Sequence, residues 1–163
     1  MSIDFNKEEQ RQKVIELITK MFNEQKEIGS SLISDFGTEN TGGLSFGLIP
    51  MADDDDKEAF ASWLKHQIQN DKVHNFCFVS EAWMVKHTGE NDMNASVKLS
   101  EHPEKIEILL AAFATAKGEY QYNAEIATVR GHKVLLKWNY MGDGIELGGR
   151  FCNLFKKAKS ICN

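Results

Sequence analysis

No apolar run in the 163-residue chain approaches the roughly 18 residues that a membrane-spanning helix needs. The N-terminal stretch MSIDFNKEEQRQK lacks the apolar core of a secretory signal. The chain is therefore expected to stay where it is made, in the cytoplasm, or in the host cytoplasm if a phage encodes it. Cysteine is scarce: Cys77, Cys152 and Cys162 make an odd count with no Cys-x-x-Cys pair, which fits a reducing compartment better than a disulfide framework or a zinc knuckle. Excess positive charge is also missing. The formal net charge is −5, so the basic footprint of a nucleic-acid binder is absent, and only FKKAK at 155–159 forms a local basic patch. A nucleic-acid partner is not expected.

The motifs of enzyme chemistry are equally thin. His66, His74, His87, His102 and His132 form no His-x-His, His-x-x-x-His or His-Glu-x-x-His spacing, so no local metal site is expected. GDGIELGGR resembles a phosphate loop only in its glycines. The dinucleotide fingerprint needs glycine three residues after Gly144, where Leu147 stands, and no Lys-Ser/Thr ending follows. No Gly-x-Ser-x-Gly elbow occurs, and Cys77 lies between two phenylalanines, the setting of an inert buried thiol. No cofactor and no catalytic residue are assigned.

What remains is a well-patterned α+β chain. At 42% hydrophobic and 26% charged residues, its length suits one domain, 1–163, around one core. A helix is predicted over about 6–28, where Val14, Leu17, Ile18, Met21 and Phe22 recur at three- and four-residue spacing; Asn6 is the expected N-cap and Gly29 lies just past the end. SSLISDFG and GGLSFGLIP read as two short strands. Asp53 to Asp56 open a second helix, since acids belong at a helix N-terminus, and Phe60, Trp63, Leu64, Gln67 and Ile68 draw its apolar stripe. The sheet core is expected over about 73–141, in four strands, the last three joined by the glycine turns at 117–118 and 130–131. Links that short force antiparallel neighbours. The economical architecture is a mostly antiparallel sheet with the N-terminal and central helices packed on it, on one face. Trp63 and Trp138 are both expected to be buried, each in the apolar stripe of its own element.

The strand FCFVSEAWMV, 76–85, poses the sharpest question. Both of its faces are largely apolar, which suits a strand covered on both sides, yet Ser80 and Glu81 stand in its middle. Glu81 could pair with a neighbouring cation, Arg130 or Lys137 being the candidates. It could instead face a pocket that binds a ligand or partner, or act as a general acid or base. A second set of groups brackets the polar loop 86–104, where His87 and His102 could meet Asp92 or Glu101. Together Glu81, Trp83, His87 and His102 define the candidate ligand- or partner-binding site.

The segments FVSEAWMV and SEHPEKIEILLAAFAT carry a resemblance. Ser80-Glu81-Ala82-Trp83, then Ser100, Pro103, Lys105 and Glu107, are similar to a pattern in small phage, prophage and bacterial proteins that share a Ser-Glu-Ala-Trp strand and a Ser-x-x-Pro-x-Lys/Arg-x-Glu segment. It spans roughly residues 50–117. The resemblance implies a phage- or mobile-element-related accessory protein that acts by binding a protein partner. It also suggests that Ser80 or Glu81 anchors the long loop crossing the sheet. The alternatives are a small enzyme or ligand-binding protein built around the four candidate residues, and an oligomeric structural protein, a homo-oligomer using the two-sided apolar strand as its interface.

Overall fold

A computed structural model describes residues 3–38, 42–49, 53–84, 105–143 and 155. Helix α1, Glu8–Gln25, and strands β1, Ser31–Ser34, and β2, Ser45–Leu48, lead to helix α2, Asp54–Gln69. Four long strands follow: β3, Asn75–Met84; β4, Ile106–Thr115; β5, Glu119–Val129; and β6, His132–Asp143. They form one six-stranded sheet in the order β2-β1-β3-β4-β5-β6, and every pair is antiparallel. The α+β class read from the sequence is the class observed.

The helices are not on one face. Partner residues across a sheet share a face, so the register sorts the side chains. Cys77, Val79, Leu109, Ala111, Phe113, Tyr122 and Ile126 pack with Val14, Ile15, Ile18 and Phe22 of α1. Leu32, Phe76 and Ala114, from the opposite face, pack with Leu64 and Ile68 of α2 and with Phe155. The arrangement is α1, sheet, α2, and it explains why β3 is apolar on both sides: each side has its own helix.

The helix termini depart from expectation. Asn6 does not cap α1. Lys7 occupies the N-cap without a side-chain bond, while the Asn6 Oδ1 accepts from Thr115 Oγ1 at 2.7 Å and Tyr120 Oη at 2.9 Å. At the other end Lys26, in the left-handed region at φ 63°, donates its N–H to the Phe22 carbonyl, so the helix closes three residues before Gly29. In α2 the acidic start is structural, as expected: Asp53 is the N-cap, and its Oδ1 accepts from the Asp56 N–H at 2.8 Å.

Two tryptophans behave differently from one another. Trp138 is partly buried against the α1 cluster, with its indole Nε1 donating to Thr19 Oγ1 at 2.9 Å. Trp63 is 37% exposed, which corrects the expectation of burial. It sits at the rim of α2, edge-on to Phe36 and tilted against Phe60, while Ala61, Leu64 and Ile68 form the buried stripe.

The register of β6 shifts twice, between Tyr120/Tyr122 and between Ala124/Ile126 on its partner. Ile126 pairs with Leu135 but Ala124 with Trp138, so one extra residue of β6 fits between these pairs. Leu135 and Trp138 consequently both pack with the α1 cluster, although strict alternation puts them on opposite faces. Arg130 at φ 52° and Gly131 at φ 80° form the two-residue turn before β6, the mirror-image turn that matches strand twist.

The N-terminal arm is pinned by one side chain. Asn75 Oδ1 accepts from the Phe5 N–H at 2.8 Å, and its Nδ2 donates to the Ile3 carbonyl at 2.9 Å and Asp35 Oδ2 at 3.1 Å. Phe5 is thereby held fully buried, edge-on to Phe113 with ring centroids 5.0 Å apart.

Candidate functional site

Glu81 and Trp83 point to the α1 side of the sheet near the end of β3, opposite Leu109 and Glu107 of β4. His87 and His102, with Asp92, Glu101 and the rest of the loop 86–104, lie outside the described residues, as do GDGIELGGR beyond Asp143 and most of the terminal segment. Two of the four candidate residues are therefore seen together.

The cation beside Glu81 is neither Arg130 nor Lys137 but Lys133. Its Nζ lies 3.4 Å from Glu107 Oε1 and 3.9 Å from Glu81 Oε1. The correction follows from side-chain direction: Lys133 shares the α1-facing side with Leu135, and the irregularity beyond it changes the alternation before Lys137 is reached. Lys105 stands over the Trp83 ring at 4.5 Å from its centroid, and Trp83 remains 40% exposed.

Glu81 is the strained member. Its Oε1 is occluded from solvent and has no hydrogen-bond partner among the described residues, since Lys133 at 3.9 Å is beyond reach. Burial pushes its carboxyl above the ordinary glutamate range; Lys133 pulls it down, Glu107 and Glu27 push it up, and a hydrogen bond from the Ile28 backbone N–H lowers it. Ser80, on the other face, shares a hydrogen bond with Ser30 Oγ at 3.1 Å and donates to the Glu81 carbonyl at 3.1 Å. Both polar residues of FCFVSEAWMV thus tether the connection that leaves α1, at Ile28 and Ser30.

Chemically this cluster is one lysine shared by two glutamates. It can hold a proton, and it lacks a nucleophile. Among the described residues no group of three or more His, Cys, Asp or Glu converges as a metal site. Cys77 is wholly buried, and burial pushes its thiol well up, away from the reactive thiolate.

A different surface stands out at the edge of the sheet. β2 pairs only with β1 among the described strands, and Leu44, Phe46 and Leu48 at and beside it are 37%, 48% and 70% exposed. Residues 42–49 carry no charge. The opposite edge, β6, carries Lys133 and Lys137 and two bulges, the devices that discourage strand addition. β2, four residues long, has neither a charge nor a bulge. The signal was present in GGLSFGLIP, where apolar side chains alternate with Ser and Gly and no charged residue guards the strand.

No protein-family model, no curated protein and no solved structure matches this chain.

Proposed function

We propose that this chain is a cytoplasmic accessory protein of phage or mobile-element type that works by binding a protein partner, and that the partner adds a strand at β2. The observation that supports the reading is the uncharged, apolar, singly paired edge at Leu44–Leu48. Main-chain groups of such an edge supply affinity to an incoming strand, while alternating side chains supply specificity. Apolar side chains this exposed on a short edge are otherwise an aggregation liability, and a partner removes it.

The test introduces edge charge. A Phe46→Lys/Leu48→Lys variant should melt close to wild type, because both side chains are exposed and surface changes are usually within about 0.5 kcal/mol. Ser62→Lys, on the exposed face of α2, is the control. A partner captured from the host and then purified should bind wild type and the control equally, and the double variant at least tenfold more weakly. Unchanged binding by the double variant would remove β2 from the interface. Self-association of wild type that the same variant abolishes would assign the edge to a second copy of the chain.

A further inference from the structure

Arg11, in the early turns of α1, is 6% exposed. Its guanidinium carbon lies 4.0 Å from the Tyr120 ring centroid and 6.0 Å from those of Tyr122 and Tyr140, which are all the tyrosines of the chain. Nε donates to Tyr122 Oη and Nη1 to the Phe5 carbonyl, each at 2.9 Å. No carboxylate among the described residues lies within ion-pair distance of it.

A buried charge normally has a counter-ion, because removing it from water costs several kcal/mol. Here the compensation is neutral: two oxygen acceptors and the negative faces of aromatic rings. The box therefore keeps a full positive charge in a setting of low dielectric, where attraction for an anion is stronger than in water. A guanidinium has five N–H donors, and the two bonds leave three over. Nη2 makes neither of these bonds, yet among the described residues only Glu81 Oε1 is both occluded and unbonded, so Nη2 reaches solvent.

The rings around the guanidinium select among anions. Tyr120 stacks over the guanidinium, so a new partner must approach in its plane. A planar carboxylate meets two in-plane N–H groups with two oxygens, whereas a tetrahedral anion carries oxygens above and below the plane toward the rings. Tyr140, the ring on β6, is half-exposed.

We propose that Arg11 and its three tyrosines form a binding site for one carboxylate group of a small organic acid. The site is separate from the β2 edge and does not depend on the partner reading. The test titrates acetate against the melting temperature of the whole chain at constant ionic strength, with chloride as the balancing anion and inorganic phosphate as the tetrahedral comparator. Wild type should show a saturable rise with acetate. Arg11→Met, which keeps the stem but not the fork, should bind at least tenfold more weakly, and Arg11→Lys should not restore binding. No saturable rise, an equal rise in Arg11→Met, or tighter binding of phosphate would overturn the proposal. Should Arg11→Met fail to fold, the Arg11 Nε–H resonance of wild type decides: acetate must shift it saturably, and a stationary resonance counts against the site.

Discussion

Replacing Asn75 tests whether one side chain holds the N-terminal arm to the sheet. Asn75→Ala removes three hydrogen bonds at once, to the Phe5 N–H, the Ile3 carbonyl and Asp35 Oδ2. The Phe5 amide has no route to water while Phe5 is buried, and a stranded buried donor costs about 1–3 kcal/mol. Ile3 and Asp35 are part-exposed, and Asp35 Oδ1 still accepts from the His74 N–H, so water makes up most of their loss at about 0.5 kcal/mol each. The sum is about 2–4 kcal/mol, or roughly 5–15 °C in Tm for a chain of this size. Urea denaturation monitored by circular dichroism measures it, with hydrogen exchange at the Phe5 amide as the local probe.

The Asn75→Asp variant separates this mechanism from a simple loss of volume. Aspartate keeps the acceptor for Phe5 but places an oxygen where Nδ2 donated, against the Ile3 carbonyl at 2.9 Å and Asp35 Oδ2 at 3.1 Å. Near neutral pH it should be no more stable than Asn75→Ala, and it should recover relative to Asn75→Ala as acid supplies the missing proton. The reasoning fails if Asn75→Ala lies within 0.5 kcal/mol of wild type. It fails equally if Asn75→Asp is the more stable of the two at neutral pH.

Other outcomes follow from single observations. Because burial raises the Glu81 carboxyl, the folded state holds that proton more tightly than the unfolded chain, so its stabilising contribution is complete at acid pH and is lost as pH rises through the raised value. The stability of wild type minus that of Glu81→Gln should therefore fall with rising pH from the ordinary glutamate range upward; a difference that is flat or climbs would refute the assignment. Trp138→Phe keeps a ring in the α1 cluster but loses the bond to Thr19 and should cost about 1 kcal/mol beyond the change in area, while Thr19→Val in the same background should add little. Arg130→Asn should stabilise by about 0.5–1 kcal/mol, since asparagine tolerates the left-handed conformation at φ 52° better than arginine; a loss of stability in chemical denaturation would contradict the turn assignment.

The fold was legible where local chemistry decides it. Glycine turns at 117–118 and 130–131 are too short for anything but antiparallel neighbours, and β4, β5 and β6 pair as that demands. The acids at 53–56 start a helix because a helix N-terminus favours negative charge, whatever it packs against. Legibility failed where geometry at a distance decides. Strict alternation mis-sorts β6 because an extra residue between the Ile126–Leu135 and Ala124–Trp138 pairs changes the parity, and nothing in HKVLLKWNYM marks the spot. Arg11 is invisible as a buried residue because its three rings come from β5 and β6, more than a hundred residues away in sequence. Trp63 has the spacing of a core residue, but the helix turns Ala61 and Leu64 inward, leaving it at the rim.

Ser80 and Glu81 show how far a single expensive placement can be read. Polar atoms in a strand covered on both sides must find partners, so the pair announces a contact. The loop at 86–104 lies outside the described residues; the partners seen among them belong to the connection between α1 and β1, some fifty residues upstream. The reason is topological: β1 lies beside β3, with Ser31 opposite Val79, so the chain leaving α1 must pass the end of β3 where Ser80 and Glu81 stand. Ser80 meets that chain from the α2 side at Ser30, and Glu81 from the α1 side at Ile28. The hydroxyl is satisfied there; the carboxylate only partly, with Oε1 occluded and Lys133 held closer to Glu107. A residue serving only as a tether would do as well with a neutral amide. The imperfectly paired acid is therefore the one feature of the cluster that a tether does not explain, and the pH dependence of Glu81→Gln measures it directly.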